Sequence, residues 1–256
     1  QTEWPDLQVY LTSVTEQWAV ATLSGPNANK ILQDAGIDID LSPSSFPFMS
    51  MQNCHIGGLP ARVFRISFTG ELSYEINVAA RHGRALWTHL MKSGAAHGIT
   101  PYGTEAMHVL RAEKGFIIVG QETDGSVTPH DLGMDWIISK AKPDFIGKRA
   151  LARTTMAYDD RKQLVGLKTK DPQQVIPEGA HAVLDPNQPL PMDMLGQVTS
   201  SYHSPNLGHS IAMALLKGGH SMHGQTVFFP LLDGRVIEAE VVDTVFFDPK
   251  GERING

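Results

Sequence analysis

A carboxylate and a guanidinium are the side chains whose placement in this chain invites chemistry. Residues 62–78, RVFRISFTGELSYEINV, read as two strands around a Thr-Gly-Glu turn. Side chains alternate along a strand, so Tyr74, Ile76 and Val78 share one face while Glu75 and Asn77 share the other. Carboxylates are rarely buried without a partner, so on that second face Glu75 meets water, a partner or a ligand. Residues 102–115, YGTEAMHVLRAEKG, read as a helix capped by Thr104 and ended by Gly115, with Ala106, Val109 and Leu110 as its apolar stripe. Arg111 lies off that stripe.

Other reactive groups fit plainer roles. His220 and His223 form an i, i+3 pair, but with no carboxylate or cysteine beside them they read as a turn, and no metal site is expected. Ser24 precedes Gly25-Pro26 without the Gly-x-Ser-x-Gly setting of a hydrolase nucleophile. Cys54 is the single cysteine, which excludes an internal disulfide framework and fits a reducing, cytoplasmic setting. It reads as a small half-buried residue. Ser73-Tyr74 and the methionines at 49 and 51 read as packing.

These side chains need elements to hold them. The first region alternates strands and helices: a strand at 18–23, a turn at Gly25-Pro26, a helix through Ala35 stopped by Gly36, and a helix at 81–92 using Leu86, Trp87, Leu90 and Met91. Residues 120–146 are turn-rich around Asp124-Gly125 and Thr128-Pro129 before an apolar run from Met134, and loops of this kind often carry function. After Arg161 come short strand candidates at 164–169, 181–184, 196–202, 210–216, 226–230, 236–242 and 245–247, divided by Gly, Pro and Asp turns. That spacing suggests a small antiparallel barrel or jelly roll. The expected class is α+β: a mixed or antiparallel sheet with helices, then a small antiparallel β-barrel or jelly-roll domain. The pattern changes around residues 152–162, giving domains 1–155 and 156–256.

Composition bounds the rest. With 256 residues, 41% hydrophobic and 19% charged, the chain can bury a sizeable core. No apolar run approaches the roughly 18 residues of a membrane span, and no signal peptide opens the chain. A net charge of −6 argues against nucleic acid or a membrane surface as partner.

Four segments, in order, carry a resemblance. Phe68-Thr69-Gly70-Glu71-Leu72-Ser73-Tyr74-Glu75-Ile76 resembles the Tyr-Thr-Gly-Glu-x-x-x-Glu-Ile pattern of the aminomethyltransferase (glycine-cleavage T-protein) superfamily. Leu110-Arg111-Ala112-Glu113-Lys114-Gly115 is similar to its Leu-Arg-x-Glu-x-Gly helix, and residues 128–133 to its Thr-Pro-x-(Glu/Asp)-x-Gly loop. Phe145-Ile146-Gly147-Lys148 matches the pattern that follows. One position departs: Phe68 stands where the T-protein usually has tyrosine. Within the superfamily, residues 1–18, 161–166, 169–172 and 199–210, with Leu215 and Lys217-Gly218-Gly219, resemble the C-terminal part of the sarcosine oxidase alpha-subunit family.

The resemblance implies tetrahydrofolate as cofactor, with Glu75, Phe68 and Arg111 at its site. Glu75 would accept from the exocyclic amine and ring N–H of a pterin in a two-bond fork. Phe68 either stacks on the pterin or packs in the core, its lost hydroxyl removing one hydrogen bond. Arg111 either contacts the ligand or holds Glu75. The implied reaction is one-carbon transfer within sarcosine oxidation, forming 5,10-methylenetetrahydrofolate, or formaldehyde plus glycine. Flavin (FAD or FMN) and NAD belong to other parts of that enzyme, and the implied partners are its beta, gamma and delta subunits.

The same resemblance implies a chain truncated at its N-terminus. It begins with Gln1, has no Gly-x-Gly-x-x-Gly after a strand, and would lack the section holding the family's catalytic aspartate. No catalytic acid or base is therefore assigned, and Asp34, Asp38 and Asp40 read as loop residues after a helix. The nearest alternatives are a free-standing aminomethyltransferase or a dimethylglycine-dehydrogenase-type domain. A non-catalytic folate-binding regulator would carry Lys-Gly-Cys-Tyr-x-Gly-Gln-Glu, but here the spacing is longer and Phe116 replaces the cysteine. A surface serving chiefly for assembly is the remaining reading.

Overall fold

The computed structural model describes residues 2–158 and 160–255. The chain forms two compact units, Gln1–Tyr102 with Gly251–Gly256, and Gly103–Lys250. Among the described residues no helix is long and apolar enough to cross a membrane.

The first unit is a four-stranded antiparallel sheet with helices on one face. Its elements are β1 (Trp18–Ser24), α1 (Ala28–Asp34), β2 (Ser50–Ile56), β3 (Leu59–Arg65), β4 (Ser73–Ala79) and α2 (Gly83–Ser93). The strand order is β1-β4-β3-β2. Alternation along β4 is as the residues demand: Tyr74, Ile76 and Val78 are fully buried while Glu75 and Asn77 are not. The buried set packs with Ile31 and Leu32 of α1 and Leu86 and Leu90 of α2. Each fully buried aliphatic side chain contributes about 1.5–3 kcal/mol, so this face holds the sheet to its helices.

β2 was not apparent from the residues alone. Its signal is Gly57-Gly58, which join β2 to β3 with φ of 56° and 80°, the two-residue hairpin geometry that favours glycine at both positions. The methionines there do not pack as expected. Met49 is 74% exposed with a φ of 65°, and Met51 points off the outer face. Trp87 is likewise 52% exposed, because Leu86 and Leu90, one helical turn apart, already fill the face of α2 toward the sheet.

The second unit is an antiparallel barrel carrying one long helix. After α3 (Thr104–Glu113) come β5 (Lys162–Thr169), β6 (His181–Ala182), β7 (Gly196–Ser204), β8 (His209–Lys217), β9 (Thr226–Pro230) and β10 (Val236–Val242). The order is β6-β7-β8-β5-β10-β9, and paired bonds between Val183 and Phe228 join the two ends. Closure removes the exposed edges of the sheet. The run Ile211–Leu216 is apolar throughout because β8 is buried on both sides. Ala212, Ala214 and Leu216 face the barrel core, while Ile211, Met213 and Leu215 pack with Ala112 of α3.

Three expectations in this unit need correction. Thr104 does not cap α3: it is the first helical residue, and Gly103 stands at the N-cap with no side-chain bond. Residues 245–247 form no strand; the N–H groups of Phe246 and Phe247 both donate to the Glu113 carbonyl, at 2.9 Å, and so satisfy the end of α3. On α3 itself the stripe Ala106, Val109 and Leu110 is not the buried face; Ala106 is exposed, and Arg111, Ala112 and Glu113 are buried. Glu122 of the following loop and hydroxyls of β7 supply the partners that make that burial tolerable. Gly115, at a φ of 70°, ends the helix as expected, and a Cβ there would lie 2.6 Å from the Thr244 carbonyl oxygen.

Candidate functional site

The outer face of the first sheet is built from the residues that alternation turns away from the helices. Register sets them in rows across the strands. Glu75 lies between Thr22 of β1 and Phe64 of β3, with Met51 of β2 beyond Phe64. The next row is Val20, Asn77, Arg62 and Asn53. Glu75 is half-buried, and its carboxylate has no hydrogen-bond or ion-pair partner among the described residues. An acceptor-rich, partly desolvated carboxylate without a donor suits a ligand that brings two donors on one edge. Tyr102 is near enough for its hydroxyl to be pushed up first by burial and then by the Glu75 charge.

Phe68 lies in the bend joining β3 to β4 and is half-buried. That connection is tied down on both sides: Thr69 shares a 2.6 Å hydroxyl–hydroxyl bond with Ser24, and Arg253 donates to Glu71 at 2.5 Å. The buried Arg65 donates to the carbonyls of Phe46 and Asn255, at 2.7 and 2.9 Å, fixing the C-terminal turn to the same unit. The aromatic ring opposite Glu75 in the sheet is Phe64. Alternation through residues 59–65 carried the signal for it, whereas nothing periodic marked Tyr102.

Arg111 sits in the second unit with no exposed surface. Its Nη1 donates to Glu122 at 2.9 Å and to the Phe116 carbonyl at 3.1 Å, and its Nη2 donates to Ser200 at 2.6 Å and Tyr202 at 3.3 Å. Glu122 also accepts from the Ile118 N–H at 2.7 Å and from the Ser200 hydroxyl. Nearby, Glu113 accepts from Ser204 at 2.5 Å and Asn206 at 2.7 Å, and Lys114 pairs with Asp248. The matched helix motif thus fastens α3 to the barrel.

The Thr-Pro-x-Asp loop is organised the same way. Asp131 accepts from the Thr128 N–H at 2.7 Å and hydroxyl at 2.9 Å, and from Arg161 Nε at 2.8 Å. Burial works against its charge, but these bonds outweigh it and hold the carboxyl below the usual carboxylate range. Thr128 and Pro129, with Phe145, Ile146 and Gly147 of the following motif, line a cavity of about 550 Å³.

Three aspartates of the first unit are engaged by protein groups. Asp34, the last residue of α1 rather than a loop residue, lies 2.6 Å from His97. Asp38 accepts from the His55 N–H and lies 2.9 Å from its ring, bonds that lower its carboxyl. Asp40 caps Ser42 through its N–H and hydroxyl. Burial pushes the Cys54 thiol up to about 11, so it is protonated and a poor nucleophile at neutral pH. His220 lies in a short turn, Gly219–Ser221, and His223 faces Asp243 at 3.7 Å.

Comparison with known proteins gives the lineage. The GCVT N-terminal domain model matches residues 1–142, and that of the glycine cleavage T-protein C-terminal barrel domain matches residues 162–248. Over its whole length the chain is 46% identical to sarcosine oxidase subunit alpha of Corynebacterium sp. (strain P-1) and 41% identical to that of Rhizobium meliloti (strain 1021). It spans only 27% and 26% of those proteins. It is 31% identical to an aminomethyltransferase of Halothermothrix orenii over 91% of this chain and 62% of that protein. The crystal structure of the glycine cleavage system aminomethyltransferase T from Bartonella henselae superposes with a TM-score of 0.76 at 26% identity, covering 91% of this chain and 60% of that one.

Proposed function

Because the chain belongs to the glycine cleavage T-protein family, we propose that its first unit binds a reduced folate on the outer sheet face, with the pterin edge on Glu75. The observation that carries this reading is the half-buried Glu75 carboxylate, which has no partner among the described residues. A carboxylate with no protein donor keeps its oxygens open, and a pterin offering an amine and a ring N–H side by side fills them with two charge-assisted bonds. Among the aromatic groups of this unit, Phe64 stands opposite Glu75 in the sheet and Tyr102 lies near enough to feel its charge; Arg111 belongs to the second unit, where it holds α3 to the barrel.

On this reading the chain is the folate-handling part of a sarcosine oxidase alpha subunit, with residues 1–155 the folate-binding section and 156–256 the barrel. Likeness over the whole chain to two such subunits supports it. Bound folate supplies the nitrogens that take up a one-carbon unit, giving 5,10-methylenetetrahydrofolate in place of formaldehyde beside glycine. The chain's own residues orient the ring and exclude water from its edge, where positioning supplies much of the rate. Oxidation of the amine at flavin, the NAD site, the catalytic aspartate and the beta, gamma and delta partners all lie outside this chain on the same reading, in the cytoplasm.

Calorimetric titration with 5-formyltetrahydrofolate tests the site. Saturable binding is expected, and Glu75→Gln should weaken it several-fold or more because an amide can accept at most one of the two bonds. Unchanged affinity in the variant would remove Glu75 from the site.

A further inference from the structure

Residues 133–156 of the second unit bury no side chain fully, although Ile137, Ile138, Phe145, Ile146, Leu151 and Met156 all fall there. These six side chains instead line the cavity of about 550 Å³ that the Thr128-Pro129 turn closes on its other side. A volume of that size takes a small molecule, and filling it would give the apolar groups the burial that the fold does not.

Both walls are tied in place. One is a loop ending in a single helical turn, α4 (Lys148–Leu151). The Lys148 ammonium donates to the carbonyls of Pro143 at 2.6 Å and Lys142 at 3.3 Å, and the Lys142 N–H donates to the Ser139 hydroxyl at 3.3 Å. The other wall is fixed by the bonds from Thr128 to Asp131.

Charge in this stretch runs against that of the chain. Residues 140–153 hold Lys140, Lys142, Lys148, Arg149 and Arg153 against one carboxylate, Asp144, in a protein whose net charge is −6. Two of the cations, Lys142 and Arg153, belong to the cavity lining, and their charged ends have no hydrogen-bond or ion-pair partner among the described residues. The lining contains no carboxylate. Those in the flanking sequence are bonded to protein groups: Asp124 to Ser126, Asp131 to Thr128 and Arg161, Asp135 to His130, and Asp144 to the Phe145 N–H. Apolar walls with two free cations complement a molecule that has a hydrocarbon body and one anionic head.

We propose that this cavity binds a small amphipathic monocarboxylate, its hydrocarbon body against Ile138, Phe145 and Leu151 and its carboxylate on Lys142 and Arg153. The site lies wholly within the second unit and does not depend on the folate reading, whose Glu75 belongs to the first.

The test is an NMR titration of the full chain, methyl-labelled at isoleucine and leucine, with butyrate, octanoate, octylammonium and octanol. Octanoate should shift the Ile138 and Leu151 methyl signals saturably, and affinity should rise about three- to fourfold per methylene from butyrate to octanoate. Octanol and octylammonium should bind about tenfold more weakly than octanoate, since neither offers a charge-assisted acceptor. Lys142→Gln and Arg153→Gln should each weaken octanoate several-fold, and together bring it to the level of octanol. Both side chains are exposed, so the double variant should keep the wild-type thermal midpoint. Octanol or octylammonium binding as tightly as octanoate, or a double variant with unchanged octanoate affinity, would overturn the proposal. Octanoate shifts confined to other methyls, or no shift at all, would do the same. Displacement of octanoate by 5-formyltetrahydrofolate would make the cavity part of the folate's own site and also overturn it.

Discussion

Glu75 and Glu122 are the same side chain in opposite circumstances. Glu75, on the sheet of the first unit, is half-exposed and has no partner among the described residues. Glu122, in the second unit, has no exposed surface and accepts from Arg111, Ser200 and the Ile118 N–H. A buried carboxylate is tolerated only when its lone pairs are filled, so Glu122 contributes to holding the fold. A carboxylate left without donors on a folded surface adds little to stability, and on the proposed reading it is kept for a ligand. The matched motifs therefore divide: those of the second unit lock a helix and a loop in place, while that of the first presents a face.

The sharpest way to break this division is at Arg111. Arg111→Met strands Glu122 in a dry site and should destabilise the second unit by about 3–5 kcal/mol, read by denaturant unfolding. Adding Glu122→Leu should restore much of the loss, because two apolar groups replace a pair instead of orphaning half of it. A single variant as stable as wild type would mean that the cluster holds nothing.

Asp131 should come next. Asp131→Asn removes a charge that Arg161 and Thr128 solvate in place of water, at a cost of about 1–3 kcal/mol. The pH dependence has a definite sign. The folded carboxyl titrates below its ordinary value of 3.8, so its stabilisation is complete above that value and is lost as pH falls through the folded one. The wild type should lose stability in that acid window, and the variant should show a flatter acid limb. Identical acid limbs in the two proteins would show that Asp131 is not the titrating group.

How far the residues alone reveal this architecture depends on which force sets each element. Strands whose burial follows simple alternation were legible, β4 to the residue on each face and β9 and β10 to their limits. The closing of the α1 region by Gly36 and of α3 by Gly115 was legible too, because only a left-handed residue fits there. What failed was burial decided by distant partners. The stripe on α3 misled because Arg111 and Glu113 find hydroxyl partners in β7, about ninety residues later, and Arg111 finds its ionic partner Glu122 in the loop beyond the helix, which no local pattern encodes. Residues 245–247 misled because an apolar run looks the same whether it pairs with a strand or caps a helix. At the candidate site, Glu75 stood out by alternation, but Thr22, Phe64 and Met51 joined its row only once register placed them on one face.

A smaller effect is expected where the first unit is tied to its own C-terminal turn. Arg253 and Glu71 form a partly exposed pair, with side chains 45% and 16% exposed. Arg253→Ala should therefore cost about 0.2–1 kcal/mol, measured by thermal unfolding. Its interest is that Glu71 belongs to the loop that carries Phe68, so amide exchange at residues 66–72 should quicken even though the midpoint hardly moves. Exchange as slow as in the wild type would show that the Ser24–Thr69 bond and the Gly25 N–H on the Leu72 carbonyl hold the loop without Arg253.

The smallest change in stability belongs at Glu75. No protein donor is lost when Glu75→Gln removes the charge, so unfolding free energy should stay within about 0.5 kcal/mol of wild type, and relief of a half-desolvated charge would move it upward. Glu122→Gln, the same chemical change in the second unit, puts an amide NH₂ against donors already facing that oxygen and should cost several times as much. Measuring the two side by side in denaturant turns the contrast between the units into one number, the difference between two identical substitutions. If Glu75→Gln destabilised the protein as much as Glu122→Gln, the Glu75 carboxylate would have a partner of its own in the fold, and the outer sheet face would lose its claim as a binding site.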